Sequence, residues 1–549
     1  MLNISKPLSA GQAQTYHKLE YTSAEQSYYR QGNAVQGEWH GKLAGRMGLS
    51  GEVGALEFSW LSEGQHPQTG EQLVRHRMAS EYTNANGTTV KTVEHRAGWD
   101  ATFAAPKSVS LTALVGGDER VREAHRDAVN TALDELERYT QARIGGNHPA
   151  ETTGQFVAAK FEHDTARPVA GYAAPQLHTH VVIFNVTERA DGSTRALQPQ
   201  AFFDSQQYAT AIYQSELMYR LRELGYQIEP GKSGAPEIKG YTQEYLDASS
   251  LRREQIENAM AKAGVSGHEA AEIAAHSTRS GKQSLSPAEV LSAHRKMAEE
   301  YGNQPQRVIA EAREHAQEKQ FSPHRAARAR EAVTYARGSI YEREAVADER
   351  LIFRDTLRRG MGEITYKDAR SEFESRHEKG DFSSVEKAKY ASGRSFTTPE
   401  TIAAERANVA FMQAGRNAVD PILNAEKAQA IADSNSILNE AQRRVIEEVL
   451  NSRERIHGLQ GRAGTGKTTV LSLIREGAEA QGYTVEGFAP TSRAAAQLRA
   501  VGIDTHTLQH FLARGENPPG AEVAPHLYVL DESSLVSTRQ MRTFLERLA

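Results

Sequence analysis

The run Leu177-His178-Thr179-His180-Val181-Val182-Ile183-Phe184 decides how the first half of this chain folds. Its β-branched and aromatic residues predict a strand. A period of two along a strand places His178 and His180 on the same face. A second run, Phe156 to Phe161, predicts another strand, and the loop between the two carries Pro168, Gly171 and Pro175. That pattern predicts an antiparallel pair with a long connection. His163 falls at the end of the second strand. The His-x-His spacing alone carries little: 20 histidines in 549 residues produce about 0.7 such pairs by chance. Its plain reading is two half-exposed strand histidines. Three imidazoles converging on one sheet face are different. They make a site for a divalent cation with coordination positions left open for substrate, and such a cation polarises a phosphoryl oxygen.

Outward from these strands, Thr102-Phe103 and Val109–Val115 read as a further strand pair either side of Pro106 and Lys107, and Asp118–Arg143 reads as a helix. Strands mixed with helices in this way predict an α+β domain. Asp100 follows Trp99 at a strand start. The residues themselves favour an ordinary strand-end carboxylate; the alternative is a carboxylate that orients one imidazole. Ser9-Ala-Gly-Gln12 is a capping-box pattern that starts a helix, with Tyr16 about two turns along it. Ser23-Ala-Glu-Gln26 repeats the signal ahead of Tyr28-Tyr29, with Gly32 as its stop and Tyr21 lying between. A tyrosine phenolate can form a covalent intermediate. With 20 tyrosines in the chain, packing is the ordinary role of any one of them.

The character changes near Asn303-Gln304-Pro305. Residues 307–430 are rich in Ala, Glu and Arg and predict helices such as Arg307–Lys319 and Arg325–Ala336, with solvated charged faces. From Ile437 the pattern becomes strand, loop, helix, strand: Arg455–Gln460, a glycine loop, Lys467–Glu479, Thr484–Ala489 and Leu527–Leu530, the rhythm of a parallel sheet. The loop Gly461-Arg-Ala-Gly464-Thr-Gly466-Lys467-Thr468-Thr469 is a phosphate-binding pattern in the required context. Its glycines let backbone N–H groups curl around phosphate, and the helix N-terminus adds its positive end. Lys467 would reach the β- and γ-phosphates and Thr468 would hold Mg²⁺. Tyr528-Val529-Leu530 ends in Asp531 and Glu532, placed to hold Mg²⁺ through water and to activate the attacking water.

With Leu438-Asn-Glu-Ala-Gln442 before the loop, and Gly487–Leu498 and Thr505–Leu508 after it, these pieces resemble superfamily-one helicase motifs of the RecD-like branch. The resemblance implies that Gln442 contacts adenine. The sequence ends at Ala549, 17 residues past Glu532. The remaining motor strands, a second motor domain and an arginine finger lie outside it, so a motor truncated at this point is expected to give no ATP-driven translocation.

The N-terminal motifs carry a second resemblance. Ser9-Ala-Gly-x-x-x-x-Tyr16, Tyr28-Tyr29, Glu38-Trp39, Leu49-Ser-Gly51, Asp100-x-Thr-Phe-x-Ala-Pro-Lys-Ser-Val-Ser110, His163-Asp-Thr165 and Pro175-Gln-Leu-His-Thr-His180 resemble the MobF-type conjugative relaxases, the TrwC/TraI-like relaxase–helicases. The resemblance implies a histidine-hydrophobe-histidine (HUH) endonuclease fold over residues 1–303, a mostly helical region over 304–430 and a partial RecA-like α/β motor domain over 431–549. It implies a tyrosine nucleophile that attacks the scissile phosphate at the nic site of an origin of transfer, keeps the 5′ phosphate and frees a 3′-OH. Strand rejoining is the reverse reaction and needs no ATP. His163, His178 and His180 would hold Mg²⁺, Mn²⁺ or another transition metal, and Asp100 would position or deprotonate. Tyr16 is expected as first nucleophile, by its distance from Ser9-Ala10-Gly11, with Tyr28 or Tyr29 second. Two departures from the pattern, Tyr16-His17 in place of a tyrosine pair and a longer Tyr16–Tyr28 segment, keep Tyr21 a claimant. Implied partners are single-stranded and hairpin DNA, relaxosome proteins and a secretion-system coupling protein, in a bacterial cytoplasm from which the protein follows its DNA into the recipient. Lys107 and the segment Arg279–Arg295, which resembles a flap over DNA, are candidates for base reading; ordinary solvated charges are the simpler account.

Composition bounds these readings. With no cysteine, disulfides, thiolate-bound metals and thiol nucleophiles are excluded, which fits a reducing compartment. No apolar run reaches the ~18 residues of a membrane helix, and Met1–Ala10 lacks a secretory pattern. The net charge of −5 does not advertise nucleic-acid binding, so that function must rest on local sites. Two other classes stay open: a DNA-dependent helicase-type ATPase, and a non-catalytic origin-binding module. The first hydrolyses ATP without a covalent adduct; the second binds a hairpin and does neither.

Overall fold

The computed structural model describes residues 1–22, 28–30, 35–75, 81–83, 89–91, 95–145, 147–231, 235–278, 285–318, 324–386, 392–462, 464–513 and 525–548. By internal packing the chain divides into two units. One is Met1–Ala336 with Asp348–Ser375 and Glu386–Arg394; the other is Arg337–Ala347 with Arg376–Val385 and Ser395–Ala549.

The first unit is built on a six-stranded antiparallel sheet of Leu2–Ile4 (β1), Leu8–Ser9 (β2), Glu38–His40 (β3), Arg96–Ala104 (β4), Ala158–Thr165 (β5) and Pro175–Phe184 (β6). The order is β1-β4-β6-β5-β3, with β2 also paired to β4. The β5–β6 pair is the one the histidine run predicts. Its register sets His178 opposite His163 and His180 opposite Phe161. On the other side of β6, His180 faces Thr102 and Val182 faces Asp100. Strand alternation therefore collects Asp100, Thr102, His163, His178 and His180 on one face. The strands β4 and β6 approach so closely at Gly98 that a Cβ there would collide with the Ile183 carbonyl, which is why glycine occupies the position.

Helices Ala10–Tyr16 (α1) and Ala55–Ser62 (α2) cover this face. They close an apolar cluster that includes Leu8, Ala13, Tyr21, Trp39, Phe58, Phe161 and Phe184. Helices Glu119–Glu137 (α3) and Gln200–Glu223 (α4) cover the other face. There His125 of α3 bridges Tyr213 Oη at 2.8 Å and Thr179 Oγ1 at 2.9 Å. Glu162 of β5 pairs with Arg122 and Arg126 of α3. Further along, Pro287–Glu300 (α5) opens with a capping box between Ser286 and Glu289.

Some expectations fail in this unit. Val109–Val115 is helical, not a strand: Lys107–Ser110 is an α-turn and Leu111–Val115 continues it as a π-helix. Ser108 to Leu114 are all buried, and Ser108, Ser110 and Thr112 alternate with apolar residues, so the run imitates a strand's period of two. Helical geometry is supported by Ser110 Oγ and Thr112 Oγ1 donating to the carbonyls four residues back. The helix expected over Asp118–Arg143 stops at Glu137, with Asp118 as its N-cap, because Gln141–Ala142 pairs as a strand with Glu151–Thr152.

The stretch after residue 303 is mostly helical, including Gln304–Glu318, Arg325–Tyr341, Glu349–Arg359, Tyr366–Glu378 and Pro399–Ala414. Within the second unit, helices Glu440–Leu450 (α6) and Lys467–Glu479 (α7) accompany a parallel sheet of Thr484–Ala489 (β7), Asp504–Thr507 (β8) and His526–Leu530 (β9). Its order is β8-β7-β9. The strand expected over Arg455–Gln460 does not form. The segment is irregular and largely exposed, and none of the described strands pairs with it. A strand exists only through its ladder, and periodicity alone does not show whether a neighbour is at hand.

Candidate active site

The three histidines form one cluster. Each offers a ring nitrogen, and these atoms all lie within 4.8 Å of one another. Ring centroids are 5.3 Å apart for His163–His178, 5.1 Å for His163–His180 and 5.0 Å for His178–His180. Every ring also has an oxygen acceptor on its other side. His178 Nδ1 lies 2.9 Å from the Gln176 carbonyl, His180 Nδ1 lies 2.7 Å from Asp100 Oδ2, and His163 Nε2 lies 3.0 Å from the Tyr21 carbonyl. A carbonyl or carboxylate oxygen only accepts, so each of these nitrogens carries a proton, and in the neutral ring the opposite nitrogen keeps its lone pair. Outer acceptors that orient neutral imidazoles are the arrangement a metal site needs. Burial, with His180 alongside, pulls the His178 imidazolium down to about 3, so its ring is neutral and able to ligate at pH 7. At His180 burial also favours the neutral form, but the Asp100 carboxylate outweighs it and raises the ring above its ordinary value. The donor set fits a divalent cation of borderline softness.

Asp100 is not at a strand start. It sits midway along the nine-residue β4. Its Oδ2 accepts from both His180 and the Tyr21 hydroxyl, the latter at 3.1 Å, and Thr102 Oγ1 lies 3.3 Å from its Oδ1. Burial would raise this carboxyl, yet His180 and the hydrogen bonds hold it below the usual range.

The tyrosine that reaches this group is Tyr21, not Tyr16. α1 begins at the capping box of Ser9 and Gln12, as its sequence predicts, and Tyr16 is its last residue. The chain then widens into a π-helix, His17–Tyr21, closed by the Thr22 N–H on the His17 carbonyl at 3.1 Å. A single widened turn of this kind is frequent at functional sites. Tyr21 is 2% exposed. Its ring stacks on Phe161 at 5.2 Å and lies 5.2 Å from His180. Tyr16 packs edge-on against Tyr21 at 6.1 Å. His17 is a core residue, stacked on Phe58 at 4.2 Å. Burial, then the nearby Asp100 charge, push the Tyr21 phenol well above its ordinary value.

Tyr28 and Tyr29 sit in a short 3₁₀ turn. Their N–H groups donate to Asp164 Oδ1 and Oδ2, each at 3.1 Å. The helix start expected at Ser23–Gln26 and its stop at Gly32 lie outside the described residues, as does 279–284 of the Arg279–Arg295 segment; the rest of that segment includes the start of α5. Lys107 donates from Nζ to the Pro175 carbonyl at 2.8 Å, and burial lowers its ammonium to about 7. Residue types in the sequence gave no sign of the carbonyl acceptors at Gln176 and Tyr21, or of Thr102; strand register brings in Thr102, and the π-helical turn brings in the Tyr21 carbonyl.

In the second unit, Gly464 and Gly466 take positive φ (78° and 75°), and Gly466 caps α7. Lys467 Nζ lies 3.0 Å from the Gly461 carbonyl, so the loop curls over its own lysine. Gln442 is fixed by a capping box with Asn439, and its Nε2 donates to the Thr465 carbonyl at 2.9 Å. Thr468 and Thr469 are exposed in the first turn of α7. Asp531 follows β9, and Glu532 takes a left-handed conformation with its N–H on Asp531 Oδ1 at 2.9 Å.

A TrwC relaxase family model matches residues 10–301, and an AAA domain model matches residues 437–549. Among similar proteins, the multifunctional conjugation protein TraI of Escherichia coli is 36% identical over 299 residues, 52% of this chain and 15% of that protein. A probable conjugal transfer protein TraA of Sinorhizobium fredii is 38% identical over 122 residues, 22% of this chain and 11% of that protein. The chain thus spans about 15% of the length of the first of these relatives. Among solved structures, conjugative relaxase TrwC in its copper-bound complex with oriT DNA is 35% identical, covers 55% of this chain and 99% of its own, and gives a TM-score of 0.46. TrwC with a 27-mer DNA comprising the recognition hairpin and the cleavage site is 34% identical over the same shares, with a TM-score of 0.44. With a family model that takes in more than half its residues, this chain belongs to the TrwC relaxase family.

Proposed function

We propose that the chain nicks and religates single-stranded DNA at the nic site of an origin of transfer by tyrosine transesterification, and so initiates conjugative transfer. The observation that carries this reading is the Tyr21 hydroxyl on Asp100 Oδ2, the same oxygen that orients His180 of the three-histidine cluster. Tyr21 is the first nucleophile. Its phenol stays protonated at rest, and Asp100 both aims its Oη and takes its proton as the Oη–P bond forms and the P–O3′ bond breaks. The 3′ oxygen leaves with the electron pair of the P–O3′ bond and takes a proton from water, and the 5′ phosphate remains on Tyr21. In the reverse step Asp100 returns the proton. His163, His178 and His180 would hold the divalent cation, Mn²⁺ or Mg²⁺, which when bound supplies a Lewis acid to a phosphoryl oxygen. Imidazole favours Mn²⁺ or later metals; phosphate oxygens make Mg²⁺ workable.

The domains are read as a relaxase over 1–303, a mostly helical part over 304–430 and a partial RecA-like motor over 431–549, with ATP and Mg²⁺ at Gly461–Thr469, Gln442, Asp531 and Glu532. DNA hairpin, relaxosome proteins and a coupling protein are the partners, in the cytoplasm. None of the described helices is long and apolar enough to cross a membrane.

Covalent capture tests the reading. The protein is incubated with labelled single strands of random sequence and Mn²⁺ or Mg²⁺, and adducts are resolved on denaturing gels and sequenced. An adduct on the 3′ fragment, lost in Tyr21→Phe and His178→Ala, supports it. Folded protein that binds single strands yet yields no adduct in any metal overturns it in favour of a binding module, and ATP hydrolysis without an adduct favours the ATPase.

A further inference from the structure

The segment Ala105–Ser110 packs against the end of β6 that leads into the histidine cluster. Between Pro175 and His178 the pairing of β6 with β5 slips, so Gln176 and Leu177 form an irregular step just before the first histidine of that strand. Steps of this kind re-aim side chains beside functional sites. Three successive groups of its backbone are held by Ala105–Ser110. Lys107 Nζ donates to the Pro175 carbonyl at 2.8 Å, the Leu177 N–H donates to Ser110 Oγ at 3.0 Å, and the Ala105 N–H donates to the Leu177 carbonyl at 3.0 Å. Gln176 Nε2 also donates to the Ala105 carbonyl, at 2.9 Å. Ser110 is fully buried, and its own hydroxyl proton goes to the Pro106 carbonyl at 3.1 Å. That leaves the Oγ lone pairs for the Leu177 N–H. The turn is itself anchored from a distance. Glu237 Oε2 accepts from the Ser108 N–H at 3.0 Å and from its hydroxyl at 2.5 Å, and the Ile238 N–H donates to Ser108 Oγ at 2.8 Å.

The Leu177 N–H and the Gln176 carbonyl belong to one peptide group. That group is planar, with its N–H and C=O pointing in opposite directions, so holding one end aims the other. The Gln176 carbonyl is the acceptor 2.9 Å from His178 Nδ1. With that peptide turned away, the ring proton could sit on either nitrogen, and a ring protonated at Nε2 has no lone pair there to ligate with. We propose that Ser110, assisted by Lys107, is a positioning residue for metal binding: through the Gln176–Leu177 peptide it holds His178 with the proton on Nδ1 and the lone pair on Nε2, toward the cluster. The inference rests on the relaxase reading in taking the three histidines as the metal ligands.

The test uses the full chain without DNA and Ni²⁺ alone, which binds imidazole more tightly than Mn²⁺ and keeps a two-histidine site measurable. Calorimetric titration compares wild type, Ser110→Ala, His178→Ala and the double variant. Lys107→Met is measured with and without His178→Ala in the same way, and the metal-free Tm of each protein reports folding. The expected result is a Ni²⁺ affinity about tenfold lower in Ser110→Ala, and lowered in Lys107→Met. Once His178 is alanine, neither substitution should change the affinity by more than about twofold. A residue that only supported the fold would weaken binding equally in both backgrounds. Equal falls with and without His178, or wild-type affinity in folded Ser110→Ala, overturn the proposal. Should Ser110→Ala fail to fold, Lys107→Met carries the same comparison, and unchanged affinity there overturns it. Either result leaves the relaxase reading standing so long as wild type binds Ni²⁺ and forms the DNA adduct. Wild type that binds no metal overturns the three-histidine reading and the inference with it.

Discussion

The Tyr21 hydroxyl lies 3.1 Å from Asp100 Oδ2, across a gap of 79 positions in the chain. That oxygen is also the one 2.7 Å from His180 Nδ1. One carboxylate atom thus joins Tyr21 to the histidine cluster.

Because Tyr21 makes that contact and Tyr16 only packs against its ring, Tyr21→Phe should abolish the covalent adduct and lower cleavage by several orders of magnitude. Tyr16→Phe should leave the adduct within a few-fold of wild type. Peptide mapping of the adduct checks the assignment directly; a phosphotyrosine at residue 16 in the wild type would refute it.

Asp100→Asn should separate two roles. An amide takes no proton from Tyr21, which should cost roughly 10²–10⁴-fold in cleavage rate. It also loses the carboxylate behind His180, which should weaken metal affinity by about 10–100-fold. Calorimetric titration with Mn²⁺ alone measures the second effect without any DNA.

Metal should stabilise the first unit. A cation held at a hundredfold excess over its Kd adds about 2.7 kcal/mol to folding, and a rise in Tm on adding Mn²⁺ reports it. His178→Ala should flatten that rise while its metal-free Tm stays close to wild type.

Glu162 links β5 to α3 and makes stability depend on acid. Burial alone would raise its carboxyl, but Arg126 and Arg122 outweigh it and hold it down to about 2, against an ordinary 4.5. A depressed folded value means that the contribution is full above about 4.5 and is lost as pH falls toward 2. Glu162→Gln should therefore reduce that slope in acid unfolding. At neutral pH it should destabilise the unit by less than the roughly 3–5 kcal/mol of a buried charge left wholly unpaired, because Arg122 loses its nearer carboxylate but keeps Asp164 at 3.8 Å.

Lys467→Ala should remove ATP binding, read as loss of the nucleotide-dependent Tm shift. It should leave the DNA adduct untouched, since transesterification draws no energy from ATP.

The sequence made the β5–β6 pair, the shared face of His178 and His180, the capping box at Ser9 and the glycine loop before Lys467 legible, because each depends on near neighbours. Strand alternation and cap chemistry act over two to four residues. Asp100 was harder to read. Its residue type suits a strand end, and only the β4–β6 register sets it behind His180. Val109–Val115 imitates a strand because Ser110 and Thr112 alternate with apolar residues, while in the fold their buried hydroxyls bond helix carbonyls.

What the sequence by itself determined was the inventory: three histidines, a carboxylate, a set of tyrosines and a phosphate-binding loop, together with the local elements that carry them. Which tyrosine meets the carboxylate was decided by tertiary structure. Tyr16 and Tyr21 are alike in chemistry and lie five residues apart, so a helix of 3.6 residues per turn would hold only one of them to a given line. The π-helical turn at His17–Tyr21 advances the chain by a wider step, and packing of Tyr21 on Phe161 and of His17 on Phe58 fixes that step. The energy that selects it comes from contacts with α2 and β5, distant in sequence, which no local pattern encodes.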